Sequence, residues 1–297
     1  MATQNPIVTA ITGYVEERRS ELLAKSMLDG KSRSAFNLMV DVKGPTALNI
    51  MDTDVHFSEL ACGWNESGST EFSQRILTPK ALSVNMAFCD KNLLKTWAQY
   101  EVKVAAGREE LPFEEKWVGQ ILKSVNEQIE KMLYQGSSAN TAEFSGLIEI
   151  LSGDASTVSA TTASGASAYE FIKAVAAAIP VKVKDPVILV STPLYREFMQ
   201  DLVAANLFHY DPKNGENEYL LPGTDIKVIA VDGLVGADDK AIAANMNNLF
   251  YGVSADEDSD TFDLWYSKDN REFRLAINFI AGVQVAFPDE VVLGIRG

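Results

Sequence analysis

Three carboxylates at alternate positions are the first candidates for chemistry: Asp256, Asp258 and Asp260, within the stretch DEDSD. Their spacing matches the first ligands of an EF-hand calcium loop. The remainder of such a loop is missing. Its sixth position requires glycine for a sharp turn and holds Thr261; its twelfth requires a bidentate glutamate and holds Ser267. The flanks NLFYG and TFDLWYS read as strands, where an EF-hand has helices. Asp256, Asp258 and Asp260 are therefore weak metal candidates only. An acidic turn facing water is expected there, with no bound metal and no cofactor.

The other reactive side chains also lack partners. Gly30-Lys31-Ser32 copies the end of a Walker loop, but the required earlier glycine is Lys25 and a helix precedes the motif. Without the glycine-rich turn, no ring of N–H groups cradles a phosphate. His56 and His209 are the only histidines and lie far apart in sequence. Neither GxSxG nor HExxH occurs. Cys89 follows the apolar Met86-Ala87-Phe88 and is expected to be buried and inert. The acid pairs Glu109-Glu110, Glu114-Glu115, Asp238-Asp239 and Asp289-Glu290 stand where loops and helix starts favour carboxylates. An enzyme is not expected. A metal-dependent hydrolase built on the acids at 256–263 is the one enzymatic alternative.

Composition narrows the classes further. A chain of 297 residues makes one large domain or two ordinary ones. With 46% hydrophobic residues it can bury a core. Its 26 basic and 41 acidic residues give a net charge of −15. Phosphate neutralisation needs clustered Lys and Arg, and no such cluster is present. Cys62 and Cys89 are too few for a disulfide framework and form no CxxC, so reduced thiols are expected. The start MATQNPIVTAITGYVEERRSE has no basic segment leading into a long apolar one, so no signal peptide is expected. The longest uncharged apolar run, Ala174–Val181, is broken by Pro180. It falls far short of the ~20 residues of a membrane span, and no membrane partner is expected.

The elements that would position any site read as follows. Ile7, Ile11, Val15, Leu22 and Leu23 give residues 7–28 a helical rhythm that Gly30 stops. Ala35–Val42 and Ser83–Phe88 are β-like, and between them CGWNESGSTEFSQR forms the tip of a long two-stranded excursion. A loop this long in a compact domain needs a task, such as reaching a neighbour. In LPFEEKWVGQILKSVNEQIEKMLYQG, Phe113, Trp117, Ile121, Val125 and Ile129 recur at helical spacing. Pro112 opens this long helix and Gly136 ends it. Residues 152–168 read as a linker or weak edge strand. Ser167 and Glu170 form a capping box for a helix over Ala168–Ile179. There follow a strand at Pro186–Ser191, a helix from Thr192 to about Asn206 and a strand at Ile226–Val231. A short helix is expected at Lys240–Met246, then strands at Asn248–Tyr251, Phe262–Tyr266, Glu272–Ile280 and Val283–Phe287. The class is α+β.

Several of these stretches carry a resemblance. PFEEKWVGQILKSVNEQIEKMLYQG followed by TAEFSGLIEIL, CDKNLL at Cys89–Leu94, NLFYGVSADEDSDTFDLWYS and AGVQVAFPDEVV resemble, in pattern and order, the major capsid proteins of tailed bacteriophages, with the Hong Kong 97-type fold. The resemblance spans nearly the whole chain. It implies an N-terminal arm over 1–45, an extended β-hairpin loop over 46–83 and a peripheral domain over 84–160 with its spine helix at 113–134. It further implies an axial α/β domain over 161–280 and a C-terminal strand within 281–297 that returns to the peripheral domain. Cys62, Trp64, Phe72 and Arg75 would belong to the assembly arm. Phe113, Trp117, Ile121, Val125 and Ile129 would form the core face of the spine helix.

The implied function is a structural shell subunit. It would self-assemble into hexamers and pentamers around packaged double-stranded DNA, in the virion capsid, after assembly in the host cytoplasm. Its implied partners are itself, a portal, and scaffolding or decoration proteins. Some family members cross-link Lys to Asn between subunits; Lys80 is near the loop, but that chemistry is not expected here. An encapsulin-like cellular shell is the alternative within the same fold. Physical arguments agree with a shell. An isolated hairpin is marginal in water and needs a neighbour. Head-to-tail ring contacts close by rotation. An acidic container encloses DNA without gripping it or reading its sequence.

Overall fold

The computed structural model describes residues 13–28, 30–57, 68–89, 113–207, 217–254 and 261–297. The expectations for residues 7–12, Cys62, Trp64, His209 and the acids at 256–260 lie outside them.

Residues 13–17 are helical and are followed by α1 (Arg19–Leu28), a short α2 (Lys31–Ala35) and β1 (Asn37–Met39). A hairpin follows, β2 (Thr46–Val55) with β3 (Gly68–Leu77), and then β4 (Lys80–Cys89). The long helix α3 (Phe113–Gln135) leads to α4 (Leu147–Gly153) and β5 (Val158–Thr162). Next come α5 (Ala168–Ala178), β6 (Val187–Ser191), α6 (Thr192–Ala204), β7 (Glu218–Leu220) and β8 (Lys227–Val231). Then follow β9 (Lys240–Ala244), β10 (Leu249–Val253), β11 (Thr261–Ser267), β12 (Glu272–Val285) and β13 (Val292–Arg296).

The sheets define two layers and one projection. A five-stranded sheet joins β1, β10, β12, β11 and β4; the spine-like helix α3 packs on it. A six-stranded sheet runs β5-β13-β9-β6-β8-β7, and α5 and α6 cover it. The hairpin β2–β3 forms a sheet of its own. Local sequence explains the helix starts. Ser167 Oγ accepts from Glu170 N–H, and the Glu170 carboxylate accepts from Ser167 N–H, the expected capping box. Ser191 Oγ caps α6 by accepting from Leu194 N–H, with Pro193 in the first turn.

Several expectations need correction. Lys240–Met246 is a strand over Lys240–Ala244, not a helix. Alanine favours helices in isolation, but this segment is hydrogen-bonded by β6 on one edge and β13 on the other, and Ala241–Ala244 are buried. Tertiary pairing overrides propensity. The two expected strands at Glu272–Ile280 and Val283–Phe287 are one strand through Val285, because Gly282 stays in register opposite Gly252. The N-terminal helix ends at Leu28, just before Gly30 as expected, and a second short helix, α2, starts beyond that glycine. Cys89 is exposed rather than buried. Strand alternation explains this, since Leu82, Val84 and Phe88 face inward and Cys89 falls on the opposite phase. Strands β10 and β11 each pair with β12, which also pairs with β4, and β5 joins the six-stranded sheet. The last strand, Val292–Arg296, lies between β5 and β9.

Candidate assembly arm and its anchor

The hairpin is the projecting feature. Its strands pair antiparallel from Thr46↔Leu77 out to Val55↔Gly68. Strand alternation divides it into two faces. One carries Ala47, Asn49, Met51, Thr53 and Val55 opposite Ile76, Gln74, Phe72, Thr70 and Gly68, all exposed. No residue on this face is charged. Met51 lies opposite Phe72, at 62% and 80% exposure. The polar groups beside this pair satisfy one another: Gln74 Nε2 donates to Asn49 Oδ1 at 2.9 Å, and the Thr53 and Thr70 hydroxyls meet at 3.3 Å. The face is thus uncharged, with apolar rungs alternating with polar rungs whose groups pair with each other. The other face buries Leu48, Ile50 and Leu77 near the body and carries Asp54 and Glu71 further out.

The base of the hairpin is fixed by four contacts. Leu77 is fully buried over Gly252 and Gly282, which are register partners in β10 and β12. A Cβ on Gly252 would lie 3.0 Å from both Leu77 methyls, and one on Gly282 would lie 2.9 Å from Pro79 Cα. Gln284 Nε2 donates to Ile76 O at 2.8 Å. Arg75 Nη1 lies 2.7 Å from Asp154 Oδ2. Lys80 Nζ donates to the carbonyls of Asn140 and Glu143 at 2.8 and 2.7 Å. Its ammonium is therefore engaged within the subunit.

The long helix is the body's organiser. Ile121, Val125 and Ile129 are buried, and Trp117 is half-buried against Phe88 in an edge-to-face contact at 5.0 Å. Phe113 is the first residue of the helix. Leu133, which continues the same periodic series, is buried too, and periodicity missed part of the buried surface: Val118, Leu122 and Tyr134 are buried as well. They belong to a second stripe that packs toward the N-terminal segment. Between α3 and β4 runs an apolar groove of about 440 Å³, lined by Leu82, Val84, Phe88, Trp117, Ile121 and Phe279.

The Gly30-Lys31-Ser32 stretch serves this packing. Ser32 N–H donates to Glu130 Oε1 at 3.2 Å, and Tyr134 OH donates to Ser32 Oγ at 2.6 Å. The Glu130 carboxylate thus faces the N-terminus of α2, where the helix dipole favours negative charge. Arg33 stands 3.7 Å from Glu130 and donates to Met27 O at 2.9 Å and to Asn126 Oδ1 at 3.2 Å. Burial pushes the Tyr251 phenol up to about 12 and raises that of Tyr134 further. Ser32 is thus tied into a buried polar contact with the long helix.

Among the described residues, no group of three or more His, Cys, Asp and Glu could hold a metal ion. No described helix is long and apolar enough to cross a membrane. Phe72 therefore lies on the uncharged face of the arm and Arg75 at its base, while the buried helix residues stand apart, inside the body. The arm residues missed from sequence, Met51, Val55 and Ile76, were readable from the period-two pattern of TALNIMDTDV and GSTEFSQRIL.

No family profile matches the chain, and no curated protein matches it in sequence. Solved structures do match. A subunit of the satellite phage P4 procapsid that includes the size determination protein aligns over 100% of this chain and 93% of its own, with 12% identity and TM-score 0.62. The capsid of an empty GTA particle aligns over 99% and 100%, with 10% identity and TM-score 0.57. A virus-like particle from Pyrococcus furiosus aligns over 94% and 98%, with 10% identity and TM-score 0.55. The architecture is that of a capsid shell protein. In particular, the chain has the Hong Kong 97-type fold of tailed-phage major capsid proteins.

Proposed function

We propose that the chain is a non-enzymatic structural subunit that self-assembles into the icosahedral head of a tailed phage. Hexamers and pentamers would enclose packaged double-stranded DNA, with a portal and with scaffolding or decoration proteins as further partners. The virion capsid, assembled in host cytoplasm, is its site of action. In this reading α3 and the five-stranded sheet form the peripheral domain, and the six-stranded sheet with α5 and α6 forms the axial domain.

One observation carries the proposal: an exposed, uncharged face on a two-stranded arm, centred on Met51 and Phe72. A lone hairpin is marginal in water, and its large exposed Met51 and Phe72 side chains offer apolar area for a neighbour to cover. A second copy of the same chain is the partner that a closed shell supplies. Modest contacts repeated around a ring then add through multivalency.

Electron microscopy of the purified protein tests this reading. Closed particles are expected. Monomers alone under every assembly condition overturn it. A compact globule of this length has a radius of gyration of roughly 19 Å, and an unassembled subunit with its arm extended should exceed that in small-angle scattering. Deletion within Cys62–Gln74 is expected to block closure while leaving soluble subunits.

A second reading keeps the same fold, which a virus-like particle from Pyrococcus furiosus shares: a cellular shell that packages an enzyme. Genes beside this one decide between them: terminase and portal genes for a phage, a cargo enzyme for a cellular shell.

A further inference from the structure

The base of the arm combines a pivot with a tie. The pivot is Leu77, seated on the opposed glycines Gly252 and Gly282. The tie is two residues along the same face of β3, where Arg75 Nη1 meets Asp154 Oδ2 at 2.7 Å. Asp154 is held ready for this contact: its other oxygen, Oδ1, accepts from Ser156 N–H at 3.0 Å. It stands between α4, which packs on the long helix, and β5, the edge of the six-stranded sheet. One ion pair therefore fastens the arm to the junction of both layers.

The tie is incomplete. Arg75 Nε is buried and has no hydrogen-bond partner among the described residues. A buried donor without a partner carries its full desolvation cost. Swinging the arm outward would return that donor, and the rest of the guanidinium, to water. The cost of breaking the pair is partly offset by this recovery. The unpaired donor makes release less costly than it would be for a fully hydrogen-bonded pair.

We propose that the Arg75–Asp154 pair is a latch that sets the angle of the hairpin arm, with Leu77 in its glycine socket as the pivot. The inference rests on the shell reading above. A shell of hexamers and pentamers presents one chain with unequal neighbours, so the arm needs more than one angle. The closed latch selects the angle in this structure, and its release permits the other.

The test separates the latch from the shell. Spin labels at Ser69 on the arm and Lys173 on α5, in a chain with Cys62→Ser and Cys89→Ser, report the arm angle in single subunits. Arg75→Met is expected to broaden the distance distribution or add a second distance. The charge exchange Arg75→Asp with Asp154→Arg is expected to narrow it again. The exchange also guards against a fold defect, since both variants must melt as the parent does. An unchanged distribution in Arg75→Met overturns the latch, whatever particles form. In electron micrographs, parent particles of one diameter and Arg75→Met particles of mixed diameter support the role in shell geometry. Equal diameters overturn that role even if the angle shifts. Absence of particles from the parent chain overturns the shell reading and leaves the angle measurement standing on its own.

Discussion

Tyr134 donates its hydroxyl hydrogen to Ser32 Oγ at 2.6 Å, joining residues 102 apart in sequence. Both groups are buried. Around them, Glu130 accepts from Ser32 N–H, Arg33 bonds Met27 O, and Tyr251 OH bonds the same carbonyl at 3.2 Å. The polar groups of the N-terminal segment are thus satisfied by the long helix and by β10 rather than by water. That explains why a five-residue helix persists at Lys31–Ala35; alone, so short a helix would not form.

This bond makes a non-additive prediction. Ser32→Ala leaves the Tyr134 hydroxyl buried without its acceptor, at a cost of about 1–3 kcal/mol. Tyr134→Phe removes the donor instead. The double variant removes both partners, so its loss should fall well below the sum of the two single losses. Urea unfolding of the four proteins measures the cycle. Simple additivity would show that the two groups are not coupled.

Alkaline pH should weaken the fold through the same layer. Burial raises the Tyr251 phenol from 10 to about 12, and Tyr134 moves in the same direction. In the unfolded chain both ionise near the ordinary value of about 10. Above that pH the unfolded state has lost protons that the native state retains, so stability falls as pH rises. The contribution is complete below about 10 and declines toward the folded value. Denaturant midpoints measured across this range should drop with pH, and Tyr251→Phe should drop less steeply. Parallel slopes for the two proteins would remove Tyr251 from the explanation.

How much of this was legible in the sequence depends on whether a signal is local. The α3 boundaries were readable because Trp117, Ile121, Val125 and Ile129 repeat at helical spacing and Gly136 stops the run. The capping box at Ser167 and Glu170 was readable because it is complete within one turn. The strand at Lys240–Ala244 was not, because its state is set by β6 and β13, which lie far away in sequence. Its side chains alone favour a helix. Phe72 and Arg75 were singled out as arm residues, yet their opposite roles follow from which face each occupies, and from Asp154, nearly eighty residues on. Ser32 read as the tail of a phosphate motif because nothing local announces Tyr134 and Glu130 as its partners.

The glycine socket beneath Leu77 predicts an order of sensitivities. In Gly252→Ala the new methyl would meet two Leu77 side-chain carbons at 3.0 Å. Side-chain ends can shift, so a loss of about 1–3 kcal/mol is expected, the usual range for overpacking. In Gly282→Ala the obstacle is backbone, with Pro79 Cα at 2.9 Å and Thr78 O at 3.2 Å. Backbone yields less readily, so Gly282→Ala should lose more stability than Gly252→Ala. Thermal unfolding of the two single variants decides it. The reverse order would mean that Leu77, not the Thr78-Pro79 connection, is the rigid part of the base.

The uncharged face of the arm should matter to assembly and not to folding. Met51 and Phe72 are exposed in the subunit, so replacing them removes almost no buried area from the monomer. Surface substitutions of this kind usually change stability by within about 0.5 kcal/mol. Phe72→Glu places a charge where a neighbour's surface must be desolvated, which is costly unless the charge is paired. Particle yield in sedimentation should therefore collapse in Phe72→Glu and fall in Met51→Ser, with melting temperatures unchanged. Glu71→Gln, one residue away on the opposite face, controls for position along the strand and should assemble as the parent does. If Glu71→Gln abolishes particles and Phe72→Glu does not, the contact face is the acidic one, and the uncharged strip has another occupant.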